Sequence, residues 1–479
     1  MDKRYTMNEL HLPWLELCIL VPALSSLWVG RILDAAQARS AGLTVSAATL
    51  ILALAGWIDF ESLFAFEAHD HWDVVKSIIG REEFVIDKLN APLLPLAALL
   101  FFLTMLATPR VKFGKYSFAL GLLSLSSTLA VLSCKETWLL IVLLAVNAIP
   151  MYIDLKTRKK PTRVFVFHIG LSIGLLALGA ACYGLSNSEF GRGAGIVMLV
   201  GAVLIRSGCA PLHCWITDLF EHAAFGNALL FITPLVGAYA TMRLVLPIAP
   251  DWALRSIALL SLATALYASC MAIIQTDSRR FFCFLFLSHS ALVLVGLETV
   301  TPIGLTGALC IWVSVALSLT GLGLTLRCVE ARTGPLSLNQ YHGMYSHMPN
   351  LAGFFLLTGL SAVGFPCTIG FTGTELLVEA AIEISPWVGG VVVVSTALNG
   401  IAILQAYFRI FTGTSHHSTI HLASVRSERI AIMTFTLLLI GAGIWPQPGV
   451  HSRYGAAVEL LDHREVNSQV SKAENKSNH

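Results

Sequence analysis

The reading starts from residues 193–222, GAGIVMLVGAVLIRSGCAPLHCWITDLFEH. The stretch opens as an apolar run long enough to enter a bilayer, meets Arg206, Gly208 and Pro211, and turns polar through Asp218. Glycine and proline inside such a run interrupt a helix, and irregular backbone at membrane depth is tolerated only where it is buried or lines a cavity. A second stretch of the same kind, 350–384, is too long for one crossing and contains Gly364, Pro366, Gly370 and Gly373. Paired interruptions in two halves of a chain point to an ion path. The plainer alternative is a helix, a loop and a re-entrant piece without function.

The rest of the chain has the same character. Of its 479 residues 56% are hydrophobic and 13% charged, with a mean hydropathy of +0.73; a soluble domain carries roughly 25% charged residues. This excludes an ordinary cytosolic enzyme, a disordered scaffold and a nucleic-acid binder. Apolar stretches able to cross about 30 Å of hydrocarbon recur at 14–30, 41–58, 92–107, 116–133, 136–153, 164–185, 193–220, 227–247, 252–275, 280–298, 303–326, 350–384, 386–411 and 429–447. The chain therefore reads as an all-α polytopic membrane protein of about 14 transmembrane helices, two of them discontinuous. The first apolar run reads as the first span rather than a cleavable signal. None of the 10 cysteines forms a CxxC pair or a zinc or iron–sulfur spacing, and most lie in apolar runs as small hydrophobes. No cofactor or metal is expected on this chain.

Loop charges set the orientation. With an even number of spans both termini share a side. The opposite loops hold Arg31, Arg39, Arg110, Lys112, Lys115, the run Lys156, Arg158, Lys159, Lys160 and Arg163, then Arg279, Arg280, Arg327, Arg332, Arg426 and Arg429. The terminus side holds the acidic segment 59–91, with Asp59, Glu61, Glu67, Asp70, Asp73, Glu82, Glu83 and Asp87. Lys and Arg concentrate on the cytoplasmic side, so both termini are expected outward, with a short strand or hairpin around 83–86. The tail 451–479 is polar and reads as loosely attached.

An ionisable side chain at bilayer depth is costly and is a functional candidate by default. Lys135 and Glu136 open the fifth span, where interfacial anchoring competes with a role in a path. Arg206 lies near the first break and keeps its proton at accessible pH. His213, Asp218, Glu221 and His222 follow within ten residues. On a helix Asp218 shares a face with Glu221 and His222, a pattern suited to proton relay or to ordinary solvated charges at a helix end. His289 lies about 15 Å along a helix from Arg279, as a proton station or a hydrogen-bonded packing residue. His168 reads as packing. Glu375, Glu379 and Glu383 step along one face after the second break; the first two either share a proton, their repulsion raising one pKa, or face water.

These residues resemble the antiporter-like membrane subunits of complex I. Arg206-Ser-Gly-Cys-Ala-Pro211-Leu-His213-Cys-Trp215-Ile-Thr-Asp218 is similar to the family's Lys, short gap, Pro-x-His-x-Trp-Leu-Pro-Asp. Gln275-Thr-Asp277-Ser-Arg279-Arg280 followed by Ser288-His289 resembles Gln-x-Asp-x-Lys-Arg, then Ser and His. Gly364-Phe-Pro366 through Gly370-Phe371-Thr-Gly373-Thr-Glu375 resembles Gly-x-Pro-x-x-x-Gly-Phe-x-x-Glu, and Gln405-Ala-Tyr-Phe-Arg409-Ile-Phe-Thr-Gly413 the end of the last repeat. The best match is the subunit M or chain 4 type of the proton-conducting transporter family. Nothing after Pro448 reads as the lateral helix of the longest family member.

The resemblance implies an inverted-repeat transporter architecture: N-terminal helices in 1–115, five-helix repeats in 116–250 and 251–415, a last helix in 416–450 and the tail in 451–479. It implies a membrane subunit of a complex I-like NADH–quinone oxidoreductase, coupling electron transfer elsewhere to proton translocation. NADH, FMN, iron–sulfur clusters and quinone then belong to partner subunits, and other membrane subunits and the lipid bilayer are the partners. The implied proton path is Arg206, His213, Asp218, Glu221, His222, His289, Glu375, Glu379 and Glu136, with Asp277 and Arg279 at a coupling loop. The departures are large. The family's seventh-span Lys is Arg206. The eighth span has no Lys before Tyr239. Ala145 and Asn147 stand where the fifth-span Glu is expected, and 306–325 and 391–404 hold no ionisable residue. Protons then move through water and the His–acid groups around a fixed Arg206, or the subunit is a non-pumping structural anchor. A third alternative is the membrane half of an inorganic-carbon (CO2-hydrating) uptake complex with a large soluble zinc protein as partner. Bacterial inner membrane is the expected location.

Overall fold

The computed structural model describes residues 8–70, 83–109, 116–186, 188–297, 299–413 and 423–477. Arg110, Lys112, Lys115, Asp73 and Glu82 lie outside them. The chain is an integral multi-pass helical membrane protein. Among the described residues ten helices are long and apolar enough to cross a membrane, and four more apolar helices are 10–17 residues long.

α1 (Trp14–Val29) and α2 (Ala35–Ser62) form a first hairpin, α2 opened by Asp34, whose carboxylate accepts from the amides of Ala36 and Gln37. α3 (Leu93–Leu106), α4 (Phe118–Ser133) and α5 (Thr137–Thr157) follow, α4 capped by Ser117 and α5 by Glu136. Such caps satisfy amides that a helix start leaves open. Between these helices a small sheet forms in the order β1 (Asn8–Glu9), β2 (Glu67–His69), β3 (Ile86–Asp87). The strand expected around 83–86 is β3, with Phe84 bridged to Cys134.

α6 (Arg163–Leu185) packs along α7 (Glu189–Ser207). α7 stops at Gly208, whose φ of 73° lies in the left-handed region that glycine enters without steric cost. The chain resumes as α8 (Cys214–His222). This is the interruption expected at Gly208 and Pro211. The next crossing is broken as well, which the sequence reading did not anticipate. α9 (Phe225–Ile232) ends before Leu235 at φ 54°, and α10 (Val236–Ala240) runs into a π-helical turn, Thr241–Val245. Such turns widen a helix locally and are frequent at functional sites.

α11 (Asp251–Ile274), α12 (Ser278–Val295) and α13 (Pro302–Thr333) lead into the second half. Asp277 caps α12 through the amides of Arg279 and Arg280. α14 (Pro349–Ala362) and α15 (Ile369–Ile384) are the two parts of the second interrupted stretch, parted at Gly364 with φ 79°. α16 (Pro386–Phe411) and α17 (Arg426–Ile444) complete the bundle. The α9–α10 crossing, α12 and α13 are almost wholly buried, whereas α2, α6, α16 and α17 expose much of their apolar surface. An apolar rim around a buried polar centre is the arrangement lipid requires.

Two expectations are corrected. Arg327 and Arg332, read as loop charges, lie inside α13 and are largely buried. They are tolerated because each is partnered: Arg327 bonds Thr108 Oγ1 (3.1 Å), and Arg332 pairs at 2.6 Å with a fully buried Glu428. The tail is the second. Residues Gln447–Ser477 form a helix, α18, whose first half packs on α13 through Ala456 and Ala457, both fully buried. Small side chains bring two helices close, and among the described residues Leu460 is the one large apolar side chain of α18 in the core, so a polar composition hid the docking.

Candidate functional site

Arg206 sits in the last turn of α7 and is 5% exposed. Its guanidinium donates to Asn147 Oδ1 at 3.1 Å. Asn147, fully enclosed on α5, donates in turn to Ser127 Oγ (3.2 Å) and Thr128 Oγ1 (3.1 Å) on α4. The guanidinium lies over the Phe231 ring, 4.7 Å from its centroid, and 5.9 Å from that of Trp215. Trp215 Nε1 donates to Ile205 O at 2.9 Å and pins α8 against the end of α7. Among the described residues no carboxylate lies within ion-pair distance of Arg206, and its Nε has no partner. A buried cation here is held by ring faces and one amide oxygen. Beside it is a cavity of about 30 Å³ lined by Arg206, Ser207, Gly237 and Ser290, enough for about two waters. It joins the first broken helix to α12.

The second half has an Asn in a similar buried position and no cation beside it. Asn399 of α16 donates to Ser288 Oγ at 2.8 Å, and Ser288 donates to Ala265 O at 2.8 Å. His289, 1% exposed, bonds Leu285 O through Nδ1 at 2.9 Å. That contact favours the proton on Nδ1, and Nε2 makes no close hydrogen bond, although the Ala362 carbonyl also faces the ring. Asn399 Oδ1 and the hydroxyls of Ser314, Ser318, Ser361 and Ser395 are also buried without a partner. Unsatisfied polar atoms of this kind are where ordered water is held.

At the end of α8 the expected pairing forms: Asp218 and His222 are 3.2 Å apart. Glu221 is exposed and pairs with Arg280 at 2.8 Å. Arg279 holds both carboxylate oxygens of Glu330 of α13 through Nε and Nη2, and its Nη1 donates to Phe220 O at 3.2 Å. Asp154 of α5, nearly fully buried, collects Arg158 Nε (3.0 Å), Ala224 N (3.1 Å) and Asn227 Nδ2 (2.9 Å). Arg158, Lys160, His222, Arg279, Arg327 and Glu330 line a cavity of about 240 Å³ here.

The remaining candidates sit apart. Glu375, Glu379 and Glu383 are exposed on α15, away from the buried centre. Glu136 caps α5 through Leu139 N at 2.5 Å, on the opposite face from the Asp218 cluster. His213 packs edge-on against Tyr267, with its Nδ1 unpartnered. His168 bonds Val164 O at 2.8 Å.

Sequence reading missed Asn399 and Asp154, and it took Asn147 only as a missing acid. It also missed Arg243 of the π turn. Arg243 forms an ion pair with Asp87 of β3 at 2.6 Å and donates through Nε to Tyr239 Oη at 3.0 Å. Burial favours the neutral Asp87 carboxyl, but Arg243 beside it holds it below the usual carboxylate range. The available signal was an Arg in an otherwise apolar run, where a partner is obligatory.

Comparison with known proteins follows this geometry. Residues 164–399 match the family described as NADH:quinone oxidoreductase/Mrp antiporter, TM. NAD(P)H-quinone oxidoreductase chain 4 of Trichormus variabilis is 25% identical over 506 residues, covering 95% of this chain and 93% of that protein. NADH-quinone oxidoreductase subunit 13 of Thermus thermophilus is 27% identical over 268 residues, covering 54% of this chain and 57% of that protein. In fold, the chain is similar to one in the Mrp complex from a Dietzia species (TM-score 0.82, 18% identity, 95% of this chain and 99% of that one). It is also similar to one in respiratory complex I from Thermus thermophilus with bound NADH (TM-score 0.79, 22% identity, 93% and 99%). The resemblance to antiporter-like membrane subunits read from the sequence is borne out.

Proposed function

We propose that the chain is a membrane subunit of a complex I-like NADH–quinone oxidoreductase, in which electron transfer in partner subunits is coupled to proton translocation. The observation that carries this is the similarity to chain 4 along nearly the whole of both proteins. The buried polar residues Arg206, His289 and Asn399, with the Asp218–His222 pair at the end of α8, support it. NADH, FMN, iron–sulfur clusters and quinone are assigned to the partners. The two five-helix units are 116–250 and 251–415, each containing one expected broken helix. Both termini face outward, by the placement of Lys and Arg, and the membrane is a bacterial inner membrane.

Within that reading Arg206 is a fixed electrostatic element, because a guanidinium does not cycle its proton. It repels excess protons from the small cavity beside it and orients the water there. His289, buried between the carbonyls of Leu285 and Ala362, is the second half's proton station. The test is to tag the chain, extract it in mild detergent and identify co-purifying proteins by mass spectrometry. Flavin and iron–sulfur subunits are expected. A single large zinc-containing soluble partner would withdraw the NADH assignment in favour of an inorganic-carbon uptake complex.

A further inference from the structure

The face of the fold that carries α18 holds a second polar cluster, outside the line just described. α18 is clamped at two points. Arg453, 3% exposed, donates to Leu89 O (3.0 Å) and Lys88 O (2.7 Å). Arg464 donates to Ala249 O (3.2 Å) and pairs with Asp251 at 2.6 Å. Between the clamps Glu459 turns inward, and its Oε2 is buried without a hydrogen-bond partner. Four charged groups from the packed elements face it: Asp87 of β3, Lys88 just after it, Lys135 before α5 and Arg243 of the π turn. Two of the three cations are already committed, Arg243 to Asp87 and Lys135 to Glu67, each at 2.6 Å. Lys88 lies over the Phe66 ring, 4.5 Å from its centroid.

A carboxylate in that position would have a buried, unsatisfied oxygen and a second negative charge nearby. The protonated acid avoids both costs. One turn further along α18, His463 lines an open cavity of about 460 Å³ together with Lys135, Glu136 and Arg243. His463 is exposed and four residues from Glu459, so the two share a face of α18 beside this cavity.

We propose that Glu459 is a proton-binding site on this face, exchanging its proton with water in the adjoining cavity by way of His463. On release the carboxyl oxygen gives its proton to the neutral imidazole or to cavity water and leaves a carboxylate beside the Asp87–Arg243 pair. Burial, followed by the charge of Asp87, pushes Glu459 up to about 8, and burial with Lys135 holds His463 below its ordinary value. Near neutral pH the acid is therefore loaded and the imidazole free to accept. The site is built entirely from residues of this chain.

Infrared difference spectroscopy of the full chain in lipid, titrated from about pH 6 to 10, tests this. The C=O stretch of a protonated carboxyl is expected to disappear with a midpoint near 8, and to be absent in E459Q. A wild-type band retained unchanged in E459Q, or no carboxyl titrating above about pH 6, overturns the assignment. Should E459Q fail to fold, K135Q carries the test. Removing that cation is expected to move the midpoint upward, and an unmoved midpoint overturns the assignment equally.

Discussion

The two halves of the molecule bury an asparagine in comparable surroundings and differ in what it meets. Asn147 receives a guanidinium, and Asn399 donates to a serine. The first half thus keeps a permanent positive charge at its break, and among the described residues Asn399 is bonded to and flanked by neutral polar atoms, several of them unsatisfied. The difference shows that the two halves bury polar groups of different kinds, a charge in one and neutral water-binding atoms in the other.

The two breaks offer the strongest test of this asymmetry. At Gly208 an added Cβ would sit 2.3 Å from Ile216 Cδ1 and 3.0 Å from Leu287 Cδ2, on left-handed backbone. At Gly364 the nearest atom is Thr374 Oγ1 at 3.1 Å, with φ equally positive. Gly208→Ala is expected to cost about 3 kcal/mol, from left-handed strain plus overpacking, and Gly364→Ala about 1–2 kcal/mol. Thermal unfolding in detergent measures both, and equal losses would remove the structural distinction between the breaks.

The asparagines sharpen it further. Asn147→Leu strands a buried guanidinium and is expected to cost about 1.5–3 kcal/mol, the range for hydrogen bonds to charged groups. Asn399→Leu removes a neutral bond and is expected to cost about 0.5–1.5 kcal/mol. A larger loss at Asn399, by the same unfolding measurement, would mean that the second half carries a charge not identified in this fold.

The smallest effect concerns α18. Glu459 is raised when folded, so its contribution to docking is complete below the ordinary glutamate value near 4.5 and is lost as pH rises through about 8. Hydrogen exchange of the 453–464 backbone, corrected for intrinsic base catalysis, is expected to speed up between about pH 7 and 9, and to do so less in E459Q.

The sequence made the breaks legible because glycine and proline inside an apolar run have few other readings. It made the Asp218–His222 pair legible because the two are four residues apart on one helix. The Asp87–Arg243 pair was not legible, since its members are distant in sequence and each looked like an ordinary loop or span residue. Asn147 and Asn399 are polar enough to bind and too weakly polar to stand out in an apolar run. α18 escaped because its docking face, Arg453, Ala456, Ala457 and Leu460, carries only one large apolar side chain in a polar segment. The acids of α15 stayed open between a shared proton and water, because helical spacing put them on one face but could not say whether that face was buried; they are exposed.

The most direct test of the central claim is proton uptake per assembled complex, in sealed vesicles, for Arg206→Ala and Arg206→Lys against the unmodified chain. The account predicts normal assembly of both, uptake reduced about tenfold or more in Arg206→Ala, equivalent to about 1.4 kcal/mol or more at the barrier, and largely preserved in Arg206→Lys. Arg206→Ala complexes that form in poor yield, yet take up protons normally once formed, would contradict it and make this chain a structural anchor.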